Sequence, residues 1–140
     1  MVSVNPSSVL AIMFLLHFFA DFNLQIHGRF DKFKQAKWWS EQIPTKGMKE
    51  RERLAIWRKY RYDYVCGLLC HGFYWALIVC LPHLVTCSFS YAFNVILHGL
   101  LHAFVDDLKC NKGKLNLWED QLMHAAQLVF IWLPLRSVFS

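Results

Sequence analysis

Apolar positions in this chain gather into four runs, roughly 8–24, 64–81, 88–105 and 117–135, separated by polar stretches of unequal length. Each run approaches the ~20 residues a helix needs to cross a bilayer core, and apolarity of that length predicts helices rather than strands. Polar residues interrupt the runs in a regular way. The first contains His17 and Asp21 and is followed by Gln25, and the third contains His98 and His102 and is followed by Asp106 and Lys109. Both sets recur at spacing four, which stacks side chains on one helix face. The second run carries His71, and the fourth opens on Glu119, Asp120, Gln121 and His124. Each helix thus presents a polar stripe on an apolar cylinder. Ionisable groups inside a membrane are costly, so they face a bundle interior and carry function. The expected fold class is therefore all-α, a polytopic membrane four-helix bundle with a buried polar site.

Composition refines this picture without changing it. The 140 residues predict one domain, 1–140, with no linker to a second. Hydrophobic residues make up 56%, and the net charge of +5 is unevenly distributed. Between His27 and Asp63 stand eleven Lys and Arg against five acids. The third connection adds Lys109, Lys112 and Lys114, whereas the second connection and the N-terminal tail have no basic residue. Positive loops stay cytoplasmic, so the expected topology is N-out and C-out, with Arg136 the one dissenting charge. The first run is not read as a secretion signal: no positive residue precedes it, and it contains His17 and Asp21. Of the five cysteines, Cys66 and Cys70 lack the second pair a zinc knuckle requires. Cys80 and Cys87 flank the outer turn and are a candidate pair in an oxidising compartment.

Topology allows depth to be counted inward from the basic boundaries. Asp21 lies eight residues inside Arg29, His71 ten inside Arg61, His102 seven inside Lys109 and His124 ten inside Lys114. At 1.5 Å per residue these are depths of about 10–15 Å, all in the cytoplasmic half. Four helices therefore place their polar groups at one level. Imidazole and carboxylate suit Zn, Mn or Fe, and helix bundles build such sites from facing helices. The candidate metal ligands are His17, Asp21, His71, His102, Asp106 and His124, enough for one or two ions. Asp120 is the candidate general base, and Lys109 and Gln25 are candidate substrate-binding groups. The expected chemistry is metal-assisted hydrolysis of a lipid or other amphiphile. Two non-enzymatic readings use the same residues. One is a proton or cation conductor; the other is a small membrane protein that docks a protein partner and uses the polar network for folding. His83, beside Pro82, reads as an ordinary turn residue.

The stretch 27–63 alternates basic residues with aromatics, including Trp38, Trp39, Trp57, Tyr60 and Tyr62. From Met48 to Tyr62 it predicts an amphipathic helix, with Met48, Ala55 and Tyr62 at spacing seven. Such a segment between two spanning helices is suited to anionic lipid head groups rather than nucleic acid, and could cover the mouth of the polar site.

HFFADFNLQ, His71, HAFVDDLK and DQLMH resemble the small bacterial and phage membrane proteins of domain-of-unknown-function family 3307. The resemblance covers all four helices and falls on His17, Asp21, Gln25, His71, His102, Asp106, Lys109, Asp120, Gln121 and His124. It implies a multi-pass protein of the bacterial inner membrane, and a site rather than an activity. A looser similarity runs to inner-membrane metal-dependent hydrolases. No H-E-x-x-H motif, glycine-rich phosphate loop or serine nucleophile elbow occurs.

Overall fold

The first helix, α1 (Pro6–Phe18), starts two residues before the apolar run at 8, at a local start signal. Asn5 accepts the Ser7 amide on its side chain at 2.9 Å, and Pro6 brings a preset backbone to the first helical position. The helix then widens into a π-helical turn, Phe19–Asn23, which carries Asp21. Such turns are rare and concentrate at functional sites. Two short helices follow, α2 (Phe30–Phe33) and α3 (Ala36–Gln42), then α4 (Glu50–Tyr60), α5 (Asp63–Val79), a 3₁₀ turn (Leu81–Val85), α6 (Ser88–Cys110) and α7 (Leu117–Arg136). The computed structural model describes residues 5–23, 30–43, 46–85 and 88–138, and the regular elements among them are all helical. At the start of α7, Asn116 and Glu119 exchange side-chain-to-backbone hydrogen bonds of 3.0 and 2.8 Å in a reciprocal cap.

Helices stand where the four apolar runs predicted them, and α6 continues past Val105 to bring in Asp106 and Lys109. Among the described residues, one stretch, Glu50–Val79, is long and apolar enough to cross a membrane; Pro6–Phe22 is apolar but shorter. The polar residues that make α6 and α7 interesting also dilute their apolarity. The predicted loop helix is present as α4, and none of its residues is buried.

α5 and α6 form the closest pair. A Cβ at Gly72 would collide with the Gly99 carbonyl, and one at Gly99 would meet the Phe73 ring at 2.7 Å. Two glycines therefore let these backbones approach as side chains would not. α1 and α7 complete the bundle around a core of Val9, Met13, Trp75, Ala76, Val79, Leu128, Ile131 and Leu135. Beside this apolar core the bundle buries polar side chains and exposes apolar ones. His17, Asp21, Lys34, His71, His102, Asp106, Asp120 and His124 are buried, while Leu15, Phe93, Ile96, Phe104, Leu122 and Phe130 are exposed.

Candidate metal centre

Five buried side chains from four elements converge at one level of the bundle. Asp21 comes from the π-helical turn, His71 from α5, His102 and Asp106 from one face of α6, and His124 from α7. The ligand atoms of Asp21, His71 and His102 lie within 4.8 Å of one another, as do those of His102, Asp106 and His124. His71 Nε2 is 3.2 Å from His102 Nε2 and 3.4 Å from both Asp21 Oδ1 and Asp106 Oδ2. His124 Nε2 lies 3.6 Å from Asp106 Oδ1 and 3.4 Å from Asp120 Oδ1. Ligands held at 2.0–2.1 Å in a tetrahedron stand roughly 3.3 Å apart, so these separations match those around a shared cation. The Asp106 carboxylate bridges the two halves, one oxygen toward His71 and the other toward His124.

Hydrogen bonds around the cluster settle which ring atoms face inward. His124 Nδ1–H donates to Gln127 Oε1 at 3.0 Å, which turns Nε2 toward the two carboxylates. That Nε2 and Asp120 Oδ1 are buried without a hydrogen-bond partner. An outer hydrogen bond that orients a metal-binding imidazole is a recurrent feature of such centres. The His102 ring stacks on both Trp75 and His124, with centroid distances of 4.3 and 4.0 Å.

His17 takes a different place from the other candidates. Trp75 Nε1–H donates to His17 Nδ1 at 2.9 Å, so the ring proton sits on Nε2 and donates to Gln121 Oε1 at 3.1 Å. The Gln121 amide in turn donates to Asp21 Oδ2 at 2.9 Å and Asp120 Oδ2 at 3.2 Å. Both His17 nitrogens are engaged, and the chain Trp75–His17–Gln121 aims two carboxylates. Lys109 Nζ donates to Asp120 Oδ2 at 2.6 Å, which leaves Asp120 Oδ1 for His124. Gln25 and Cys87 lie outside the described residues, and with Cys87 the proposed Cys80–Cys87 pairing.

Three participants escaped the sequence reading. Lys34, between α2 and α3, is 2% exposed and donates to Asp106 Oδ2 at 2.8 Å. Burial opposes its charge, but the Asp106 carboxylate outweighs burial and holds its pKa above the ordinary lysine value. One lysine among eleven basic residues carries no spacing signal. Trp75 and Gln127 lie in apolar runs and belong to no ligand-like spacing, although Gln127 stands one turn from His124.

At the opposite end, His83 is not an ordinary turn residue. It is 1% exposed, donates from Nε2 to the Ile131 carbonyl at 2.9 Å, and accepts the Ser90 hydroxyl on Nδ1 at 3.1 Å. In α7, His83 takes the Ile131 carbonyl, one residue after the Phe130 carbonyl that Pro134 leaves without an amide. Burial holds the His83 pKa below its ordinary value, consistent with a neutral ring that ties the turn to α7.

No family model matches the chain, and neither the curated proteins nor the solved structures contain a match.

Proposed function

We propose that this chain is a multi-pass protein of the bacterial inner membrane with a divalent-cation centre in the cytoplasmic half of its bundle, acting as a metal-dependent hydrolase on an anionic amphiphile. The observation that carries the reading is the convergence of five buried donors, Asp21, His71, His102, Asp106 and His124, with His124 Nε2 facing carboxylates at 3.4 and 3.6 Å and making no hydrogen bond. Leaving a buried ring nitrogen without a hydrogen bond costs about 1–3 kcal/mol, and a cation would satisfy His124 Nε2 together with the other four donors. The apolar surface supports the membrane setting, because exposed Leu, Ile and Phe suit lipid and not water.

Asp21, His71, His102, Asp106 and His124 would hold Zn, Mn or Fe, with Asp106 placed between two positions if two ions bind. Such an ion supplies Lewis acidity and acidifies bound water. His17 is then a positioning residue, acting through Gln121 on Asp21 and Asp120. Asp120 is the proton acceptor, held by Lys109, whose part-exposed ammonium also meets an anionic head group. α4 would lie on anionic lipid: Arg51, Arg53, Arg58 and Lys59 are exposed beside Trp57 and Tyr60, and Arg61 stacks on the Trp57 and Tyr62 rings.

One observation favours the conductor. Ser90, Asn94, His98, His102 and Asp106 form a continuous stripe at spacing four along α6, with the buried His98 Nδ1 unpartnered. Metal content separates the readings. Mass spectrometry of detergent-purified wild type should find one or two equivalents of a transition metal, lost in Asp21→Ala and His102→Ala. Metal-free wild type, with both variants folded, would overturn the hydrolase in favour of conduction or partner docking.

A further inference from the structure

We propose that Lys34 is the resident counter-cation of Asp106, and that its ammonium and a divalent ion bind this carboxylate in alternation. The inference rests on the cation-centre reading above and assigns its regulation.

Lys34 and Asp106 are 2% and 1% exposed and meet at 2.8 Å. The same oxygen, Asp106 Oδ2, is 3.4 Å from His71 Nε2 and 4.0 Å from His102 Nε2. An ion shared by these two imidazoles would therefore contact the oxygen that the ammonium now holds. Two positive charges on one buried oxygen repel strongly at low dielectric, so occupancy by one disfavours the other. Without an ion, the buried Asp106 carboxylate needs counter-charge, and Lys34 supplies the nearest, at 2.8 Å, beside the His71 and His124 rings at 3.4 and 3.6 Å.

The placement is built into the backbone. Asn111, just past α6, accepts the Ala36 amide at 2.7 Å and donates to the Lys34 carbonyl at 3.0 Å. Trp39 Nε1–H donates to the Phe33 carbonyl at 2.7 Å, and that carbonyl rests on Gly67, where a Cβ would collide with it. These contacts anchor the turn independently of the Lys34 side chain. A flexible four-carbon stem can leave Asp106 while the turn stays seated. Arginine, kept charged and forked, would leave less readily. The centre thereby acquires a threshold: a cation binds only at concentrations that displace the ammonium.

The test titrates Zn²⁺ and Mn²⁺ into detergent-purified full-length wild type, Lys34→Met and Lys34→Arg by calorimetry at fixed pH. Lys34→Met should bind at least tenfold more tightly than wild type, and Lys34→Arg no more tightly than wild type. Equal affinity of wild type and Lys34→Met overturns the exchange and leaves the centre standing. No binding by any of the three removes the centre and the exchange with it. If Lys34→Met does not fold, amine acetylation of the wild type decides. Lys34 should be protected without metal and become reactive with saturating Zn²⁺; protection unchanged by bound Zn²⁺ overturns the proposal.

Discussion

His83 and His124 are both buried histidines that contact α7 residues, yet they sit in opposite electrostatic settings. His83 has a hydroxyl on one ring nitrogen and a backbone carbonyl on the other, both neutral. His124 has the Gln127 amide oxygen on one nitrogen and two carboxylates, of Asp106 and Asp120, around the other. Burial alone therefore does not mark a functional histidine. What marks it is a lone-pair position that neutral partners leave open and charged partners surround. The same contrast separates the two ends of the bundle: one end is closed by hydrogen bonds to the backbone, while the other concentrates carboxylates, imidazoles and two lysines.

The comparison breaks most severely at Asp106, which serves both halves of the centre and holds Lys34. Asp106→Ala should abolish cation binding and, by stranding a buried ammonium, cost about 3–5 kcal/mol, read by thermal unfolding in detergent. Survival of full cation affinity in this variant would remove the centre from our account. The two histidines should then part company. His83→Ala leaves the Ile131 carbonyl and Ser90 hydroxyl without their partner and should cost about 1–3 kcal/mol, with cation affinity unchanged. His124→Ala should lose cation affinity and, by taking the imidazole from between two buried carboxylates, lower the metal-free unfolding temperature at least as much as His83→Ala. If both variants lowered stability alike and neither touched cation binding, the two ends would be equivalent and the centre a structural network. The finest test is Gln127→Leu, which keeps every ligand but frees the His124 ring. Calorimetry should show a loss of affinity of about tenfold, the lower range for an orienting hydrogen bond.

Much of this was legible from residue order. Spacing four in HFFAD and HAFVD puts paired polar groups on one helix face, and Asp21, His71, His102 and His124, singled out by residue type within apolar runs, are among those the fold brings together. Helix limits were legible too, since Asn5–Pro6 and the Asn116–Glu119 pair are start signals readable locally. The division of labour inside the site was not. His17 and His102 have the same H-x-x-x-D context, yet Trp75 and Gln121 occupy both nitrogens of one, while aromatic stacking aims the other at Asp21 and His71. Nothing in either motif distinguishes them.

The sequence by itself determined that the chain is helical and that its polar residues share helix faces. These follow from helical periodicity, a local property of the backbone. Only the tertiary structure decided which ring atom looks inward, which lysine of the basic segment reaches Asp106, and that His83 is tied to α7. Each of these depends on partners distant in the chain, such as Lys34 and Asp106 or His17 and Gln121. Such contacts are set by how helices pack, and no spacing within one helix encodes them.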